Sequence, residues 1–227
     1  MRSVVPVVCG YMDANNRFQL VGVNGSGFFI DRLGHFATAG HVIDDWKVMN
    51  NTRHACSPAI YIPDHGWKTG EITIDVQSFA FTSCDRDTDL DLAVCQTIDN
   101  PFTSSRASHA NIAPVEFDTE TKPVGTPVAF SGFPLESVSP LTAKGFVAGF
   151  THFGKAGTPL TVDYVIDKSA WPGASGSALY LDNGKVVGIM LAAGFDKGSG
   201  LAYAKSATVI TAFLVKHLAM PSPPEKK

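Results

Sequence analysis

Gly25–Val42, GSGFFIDRLGHFATAGHV, sets two short apolar runs around an Asp-Arg-Leu-Gly turn and closes on His41-Val42. GFFI and HFATA read as strands joined by a hairpin, because β-branched and aromatic residues bounded by turn residues favour extended backbone. The stretch carries two histidines, His35 and His41. His35 falls at the hairpin turn and is expected to face solvent. His41 closes TAGH at a strand end, and whether it does chemistry depends on what the rest of the chain can bring to it.

The same punctuation runs along the chain. FQLVGV, AIYIP, ITIDVQSFAF, LAVCQTI, TPVAFSGF, GFVAGF, LTVDYVI, SALYL, KVVGIMLA and GLAYA are short apolar or alternating runs separated by Gly, Pro, Asn and Asp. Many closely spaced strands without intervening helical patterns predict an all-β chain of sandwich or barrel type. One helix is expected near the end, residues 206–219, with Ser206 as N-cap and Val209, Ile210, Phe213, Leu214 and Leu218 on one apolar face. A second short helix is expected at HVIDDWKVM after His41. The least strand-like interior stretch, Ser104–Gly125, separates two halves. The expected divisions are 1–110, a linker at 111–125, 126–205, the helix at 206–219 and a Pro-rich, charged, disordered tail at 220–227.

With 227 residues, 44% of them hydrophobic, the chain can bury a substantial core. A net charge of −3 and no dense Lys/Arg cluster give no footprint for nucleic acid. No apolar run approaches the roughly 20 residues that cross a bilayer, so no membrane partner is expected. The N-terminal MRSVVPVVCGYMDANN, interrupted by Pro6, reads as a first strand rather than a signal peptide. The expected location is the cytoplasm, or a host cytosol for a phage or viral protein. Cys9, Cys56, Cys84 and Cys95 form no C-x-x-C pair, and free thiols are expected in that setting. His54, Cys56 and His65 match no zinc spacing, so no metal is expected, and no cofactor.

Three places are chemically loaded: Thr38–Val42 (TAGHV), Asp87–Val94 (DTDLDLAV) and Pro172–Tyr180 (PGASGSALY). Each alone has an ordinary structural reading as a helix cap, an exposed acidic loop and a strand-joining turn. Together they meet one mechanistic demand. A serine hydroxyl needs an imidazole to take its proton, and the imidazole needs a carboxylate to fix its tautomer and stabilise its charge. The oxyanion that forms needs N–H donors, which a Gly-rich turn around the serine supplies. His41, an Asp within 87–91 and Ser175 provide this set.

GSGFFI…FATAGHV, DLDLAV, SGFP, PGASGSALY, GKVVGIMLAA and GLAYAKS together resemble the trypsin-like (chymotrypsin-fold) serine peptidases, most closely their bacterial HtrA-like branch, over about residues 20–215. The resemblance implies two six-stranded antiparallel β-barrels with an interfacial cleft, followed by a C-terminal helix. It implies a serine endopeptidase acting on polypeptides, with His41 as general base and Ser175 as nucleophile. Asp91, directly before Leu92-Ala93-Val94, fits the acid position, with Asp89 as the alternative. The backbone N–H groups of Gly173 and Ser175 carry over as the oxyanion hole; Pro172 has none to give. The primary specificity pocket is implied near Ser169, with walls at Leu191, Ala192 and Ala193 and from Gly200 to Ala202, and Trp171 close by. These residues are uncharged, so cleavage after apolar residues is expected.

Two departures matter. Ala174 stands where zymogen-activated members carry an Asp that pairs with a new N-terminus, so no such maturation is expected. No PDZ domain of the HtrA kind is expected after the helix, and HtrA-like trimerisation is not expected with it; the oligomeric state is left open, with a monomer favoured. An α/β-hydrolase built from Asp182, Asp196 and His217 fails, because the elbow pattern G-x-S-x-G is not met at Ser177 and crossover helices are absent. The remaining rival is a peptidase fold kept as a binding scaffold, or an enzyme that needs a partner to switch on.

Overall fold

Antiparallel pairing of short, mostly apolar strands builds the chain, seen in a computed structural model that describes residues 3–15, 18–43, 54–63, 74–108, 110–133, 140–151, 163–193 and 200–218. The N-terminal half comprises β1 (Val4–Met12), β2 (Phe18–Phe29), β3 (His35–Ala39), β4 (His54–Pro63), β5 (Ile74–Ser78), β6 (Phe81–Asp87) and β7 (Leu92–Thr97). They form one sheet in the order β5-β4-β1-β2-β3-β7-β6. Pro6 is tolerated in β1 because the pairing with β4 begins only at Val7, so its missing N–H breaks no ladder on that side.

The expected six-stranded barrel appears here as seven strands, and the reason is local. The run Ile74–Asp87 pairs first with β4 and then with β7, crossing from one end of the sheet to the other. Phe79 and Ala80 make the corner: the Phe79 amide donates to Pro58 O, and Ile98 donates to Ala80 O. A sixth strand bent at a buried Phe79 is thus counted as two.

The C-terminal half comprises β8 (Pro127–Gly132), β9 (Leu141–Thr151), β10 (Asp163–Ile166), β11 (Ala178–Tyr180), β12 (Val186–Ala193) and β13 (Ala202–Ser206). These close into a barrel in the order β10-β13-β12-β11-β8-β9. Between the halves, Val115 N donates to Phe29 O, Val186 N donates to Glu116 O and Asp118 N donates to Val186 O, so this segment straps onto both. The C-terminal helix α1 runs Ala207–Leu218 and buries Ala207, Ile210, Phe213 and Leu214. Ser206 does not cap it as expected. It ends β13, is buried, and its Oγ has no hydrogen-bond partner among the described residues. No helix among the described residues is long and apolar enough to cross a membrane.

The expectation of free thiols is overturned. Cys9 and Cys56 are directly opposed on β1 and β4, as are Cys84 and Cys95 on β6 and β7, and both pairs are disulfide-bonded. Sequence spacing could not reveal this, because pairing depends on strand register, which is non-local. Cys56 is therefore no thiolate ligand, and its sequence neighbour His65 lies outside the described residues. The Cys9–Cys56 bond closes a sequence separation of 47 residues, for which loop-closure entropy predicts about 4 kcal/mol. Cys9→Ala with Cys56→Ala should lower unfolding free energy by about 2–4 kcal/mol in urea titration. Thiol titration of the denatured wild type should find no free cysteine; four reactive thiols would refute the pairing.

Candidate active site

His41 sits in a helical turn over residues 40–43 that follows β3 directly; the remainder of the expected helix lies outside the described residues. Antiparallel pairing of β3 with β7 sets Ala39 opposite Leu92, and Gly40 N extends the ladder to Asp91 O at 2.9 Å. The ladder thus delivers Asp91 to His41. The carboxylate holds the histidine at two points: Oδ1 accepts the His41 amide and Oδ2 meets ring Nδ1, each at 2.8 Å. Asp91 adopts φ 53°, a left-handed conformation that Asp tolerates better than most residues. Asp89 lies two residues earlier in the β6–β7 turn, exposed, where its amide donates to Asp87 Oδ1. The geometry therefore brings Asp91, and not Asp89, to the imidazole.

His35 is no solvent-facing turn residue. It starts β3, its ring Nδ1 meets Asp31 Oδ2 at 2.5 Å, and its side chain is only 19% exposed. Asp31 Oδ1 also accepts the Leu33 and His35 amides, so this second His–Asp pair clips the hairpin. The Asp four residues before the histidine was the sequence signal for this contact.

Ser175 lies on two consecutive tight turns. Ala174 N donates to Trp171 O at 2.9 Å across Trp171-Pro172-Gly173-Ala174, and Ser177 N donates to Ala174 O at 3.0 Å across Ala174-Ser175-Gly176-Ser177. Gly173 (φ 91°) and Gly176 (φ 82°) occupy the third position of each, where a type II turn needs positive φ, and Pro172 occupies the second, where its fixed φ fits. Ser175 is thereby lifted to a corner. The amides of Gly173 and Ser175 have no hydrogen-bond acceptor among the described residues, which leaves two N–H donors beside the hydroxyl.

The serine hydroxyl does not bond His41. Ser175 Oγ donates to Leu191 O at 2.9 Å. Leu191 is the extra residue of a β-bulge, since Met190 pairs with Ala204 and Ala192 with Tyr203, so its carbonyl is free of the ladder. A second bulge places Asn24 opposite no residue of β1, and its side-chain amide donates to Val42 O at 2.6 Å, steadying the turn after His41. Sequence reasoning missed Asn24, Ser26 and the Leu191 carbonyl, which act through backbone geometry rather than residue chemistry. Ser26 N donates to Ser175 O at 2.8 Å and ties β2 to the serine turn.

Of the pocket residues, Ser169 is exposed on the segment after β10, and Leu191 is 7% exposed on β12. Ala192 and Ala193 pair with Tyr203 and Ala202, Gly200 is exposed, and Trp171 is 39% exposed. A groove of about 520 Å³ lies elsewhere on the C-terminal barrel, lined by Val128, Thr142, Phe146 and Tyr180 among others.

A family model described as the trypsin-like peptidase domain matches residues 25–189. No curated protein matches the chain. Among solved structures, the active form of the Rv3671c protease from M. tuberculosis aligns over 98% of this chain and 83% of its own, with 17% identity and a TM-score of 0.64. An inactive serine-to-alanine form of Rv3671c from M. tuberculosis H37Rv aligns over 98% and 90%, with 19% identity and a TM-score of 0.63. A further inactive form of that protease aligns over 95% and 88%, with 18% identity and a TM-score of 0.61. At these identities the structural likeness is one of fold.

A Cβ on Gly176 would stand 2.0 Å from Ser26 O and 2.4 Å from Thr38 Oγ1. Gly176→Ala therefore adds a backbone clash to the about 1–3 kcal/mol cost of a left-handed non-glycine residue. It should lower the thermal midpoint clearly and remove serine reactivity; a variant with wild-type stability would show that the turn is not built this way.

Proposed function

The chain belongs to the trypsin-like peptidase family and is a serine endopeptidase, and from that premise we propose that it works through an acyl-enzyme on Ser175, with His41 as general base and Asp91 orienting it. The observation that carries the assignment is the two-point bond from Asp91 to the His41 amide and ring. Holding Nδ1–H on a carboxylate leaves Nε2 as the basic nitrogen and stabilises the imidazolium that forms.

In the proposed reaction, Ser175 Oγ rotates off Leu191 O toward His41. Its proton passes to His41 Nε2 as the oxygen attacks the scissile carbonyl carbon. Negative charge on the carbonyl oxygen is received by the amides of Gly173 and Ser175. Collapse expels the amine, which takes the proton from His41, and water repeats the sequence to release the acid. Oxyanion stabilisation from two preorganised amides is the larger share, since one such donor is commonly worth about 10²–10³ in kcat.

The bond from Ser175 Oγ to Leu191 O also favours a second reading, an enzyme at rest until substrate or a partner turns the hydroxyl to His41. The two readings share their chemistry and differ in the population of the competent rotamer. The disulfides favour an oxidising compartment over the cytoplasm, since such bonds are rare where thiols are kept reduced. The finer specificity we propose is cleavage after apolar residues, because Ser169, Leu191, Ala192, Ala193 and Gly200 offer a buried charge no counter-ion.

A fluorophosphonate should label the wild type on Ser175, and Ser175→Ala should abolish labelling and peptide hydrolysis. His41→Ala and Asp91→Asn should each lower turnover by roughly 10³-fold or more, on the scale of triad deletions. Asp89→Asn and His35→Ala should stay within a few-fold of wild type. Full activity in Asp91→Asn would refute the acid assignment, and absence of labelling under every condition would favour the scaffold. Peptide-library profiling should show apolar residues before the scissile bond, and a preference for Arg, Lys or Glu there would overturn the pocket.

A further inference from the structure

On the reading above, the oxyanion amides must point one way, and what holds them there is not a charge on their own turn. Ala174, between the two donor residues, is apolar and 2% exposed. In Trp171-Pro172-Gly173-Ala174 the central peptide carries the Gly173 N–H, one of the two proposed donors. Gly173 has no side chain to pack, so the turn needs a hold from outside itself to keep its place beside Ser175.

We propose that Ser26 is the positioning residue that anchors the peptide planes flanking the two donor amides and so sets where the oxyanion amides stand beside Ser175. Ser26 lies on β2, in the other half of the molecule, and is completely buried. Its Oγ donates to Gly173 O at 2.8 Å and accepts the Phe133 amide at 2.9 Å. Its own amide donates to Ser175 O at 2.8 Å, and its carbonyl accepts Thr38 Oγ1 at 2.7 Å. The peptide planes that Ser26 grips, after Gly173 and after Ser175, alternate with the planes that carry the two donor amides. Gly173 O is held by the serine hydroxyl while Ala174 N, on the same plane, is held by Trp171 O. With the planes after Gly173 and after Ser175 both anchored to Ser26, the donor peptides between and before them are hung from fixed points, and shifting the turn away from Ser175 breaks a buried hydrogen bond.

The Phe133 bond gives the hydroxyl its direction. A serine O–H has one proton to donate. Because Phe133 N occupies Oγ as a donor, the Ser26 proton is left for Gly173 O. Ser26 thus acts through the turn and touches no reacting atom.

The test separates geometry from stability. Wild type, Ser26→Ala and Ser26→Cys are treated with a fluorophosphonate, and both the amplitude and the rate constant of labelling are read. A residue that only supports folding lowers the amplitude, because fewer molecules are competent, and leaves the rate per competent site unchanged. The proposal expects full amplitude with a rate lower by on the order of tenfold in Ser26→Ala, less than the about 10²–10³ of deleting an oxyanion donor outright. Ser26→Cys, of similar volume but a weak donor, should fall between. It also carries the test if the alanine variant fails to fold. Peptide hydrolysis should show the loss in kcat with KM within about twofold. A rate per competent site within twofold of wild type in both variants overturns the role of Ser26 alone. A wild type that never labels overturns the Ser175 mechanism as well, so the two failures are distinct.

Discussion

The two-point hold of Asp91 on His41 is the constraint to which the N-terminal half is fitted. A carboxylate that accepts both a backbone amide and a ring N–H must approach the histidine from beside its own chain, and for His41 an adjacent strand brings it there. Pairing of β3 with β7 supplies it: the ladder runs from His35–Gln96 to Ala39–Leu92 and ends one residue short of the pair. Asp91 then leaves the ladder through a left-handed conformation, which turns its carboxylate back over the strand end. The acid is 34% exposed and the histidine 35%, so the pair sits at a rim, reachable from solvent, rather than deep in a core.

Behind that rim the two halves are joined by apolar packing. One buried cluster takes in the N-terminal strands together with Ala178, Val186, Ile189 and Leu191 from the C-terminal half and Ile210, Phe213 and Leu214 from the helix. The other fills the closed barrel. β12 serves both clusters, with Val187 and Met190 in the barrel and Val186, Ile189 and Leu191 toward the first, because its alternation changes phase at Val187, the extra residue where Leu179 pairs with Gly188 and Tyr180 with Val186. The bulge at Leu191 comes where that alternation meets the serine turn, and it frees the carbonyl that receives Ser175.

The strands were legible in the sequence because apolar runs bounded by Gly, Pro, Asn and Asp are local signals. The candidate triad was legible for a different reason: His41, Asp91 and Ser175 each close a recognisable short motif. What was not legible depends on register. The opposition of Cys9 to Cys56 and of Cys84 to Cys95, and the bulges at Asn24 and Leu191, exist only once strands are paired. The N-cap expectation failed because Ser206 still belongs to β13, so its side chain is committed to the buried junction before the helix begins. His35 looked exposed because hairpin turns usually are, but Asp31 reaches it from the other end of the same turn.

Ser26 shows why a polar side chain can stand at the meeting of the two halves. A buried hydroxyl costs free energy unless it is bonded, and a half-satisfied one is worse than none. Here the amide, carbonyl and hydroxyl of one residue are all engaged, and their partners come from β3, the serine turn and the end of β8. An apolar residue in that position would take this bond from both the Phe133 amide and the Gly173 carbonyl, whereas serine joins them through a single oxygen. The apolar cluster sets the distance between the halves, being close-packed and non-directional. Orientation needs directional bonds, and the peptide planes around Ser175 obtain them from across the interface.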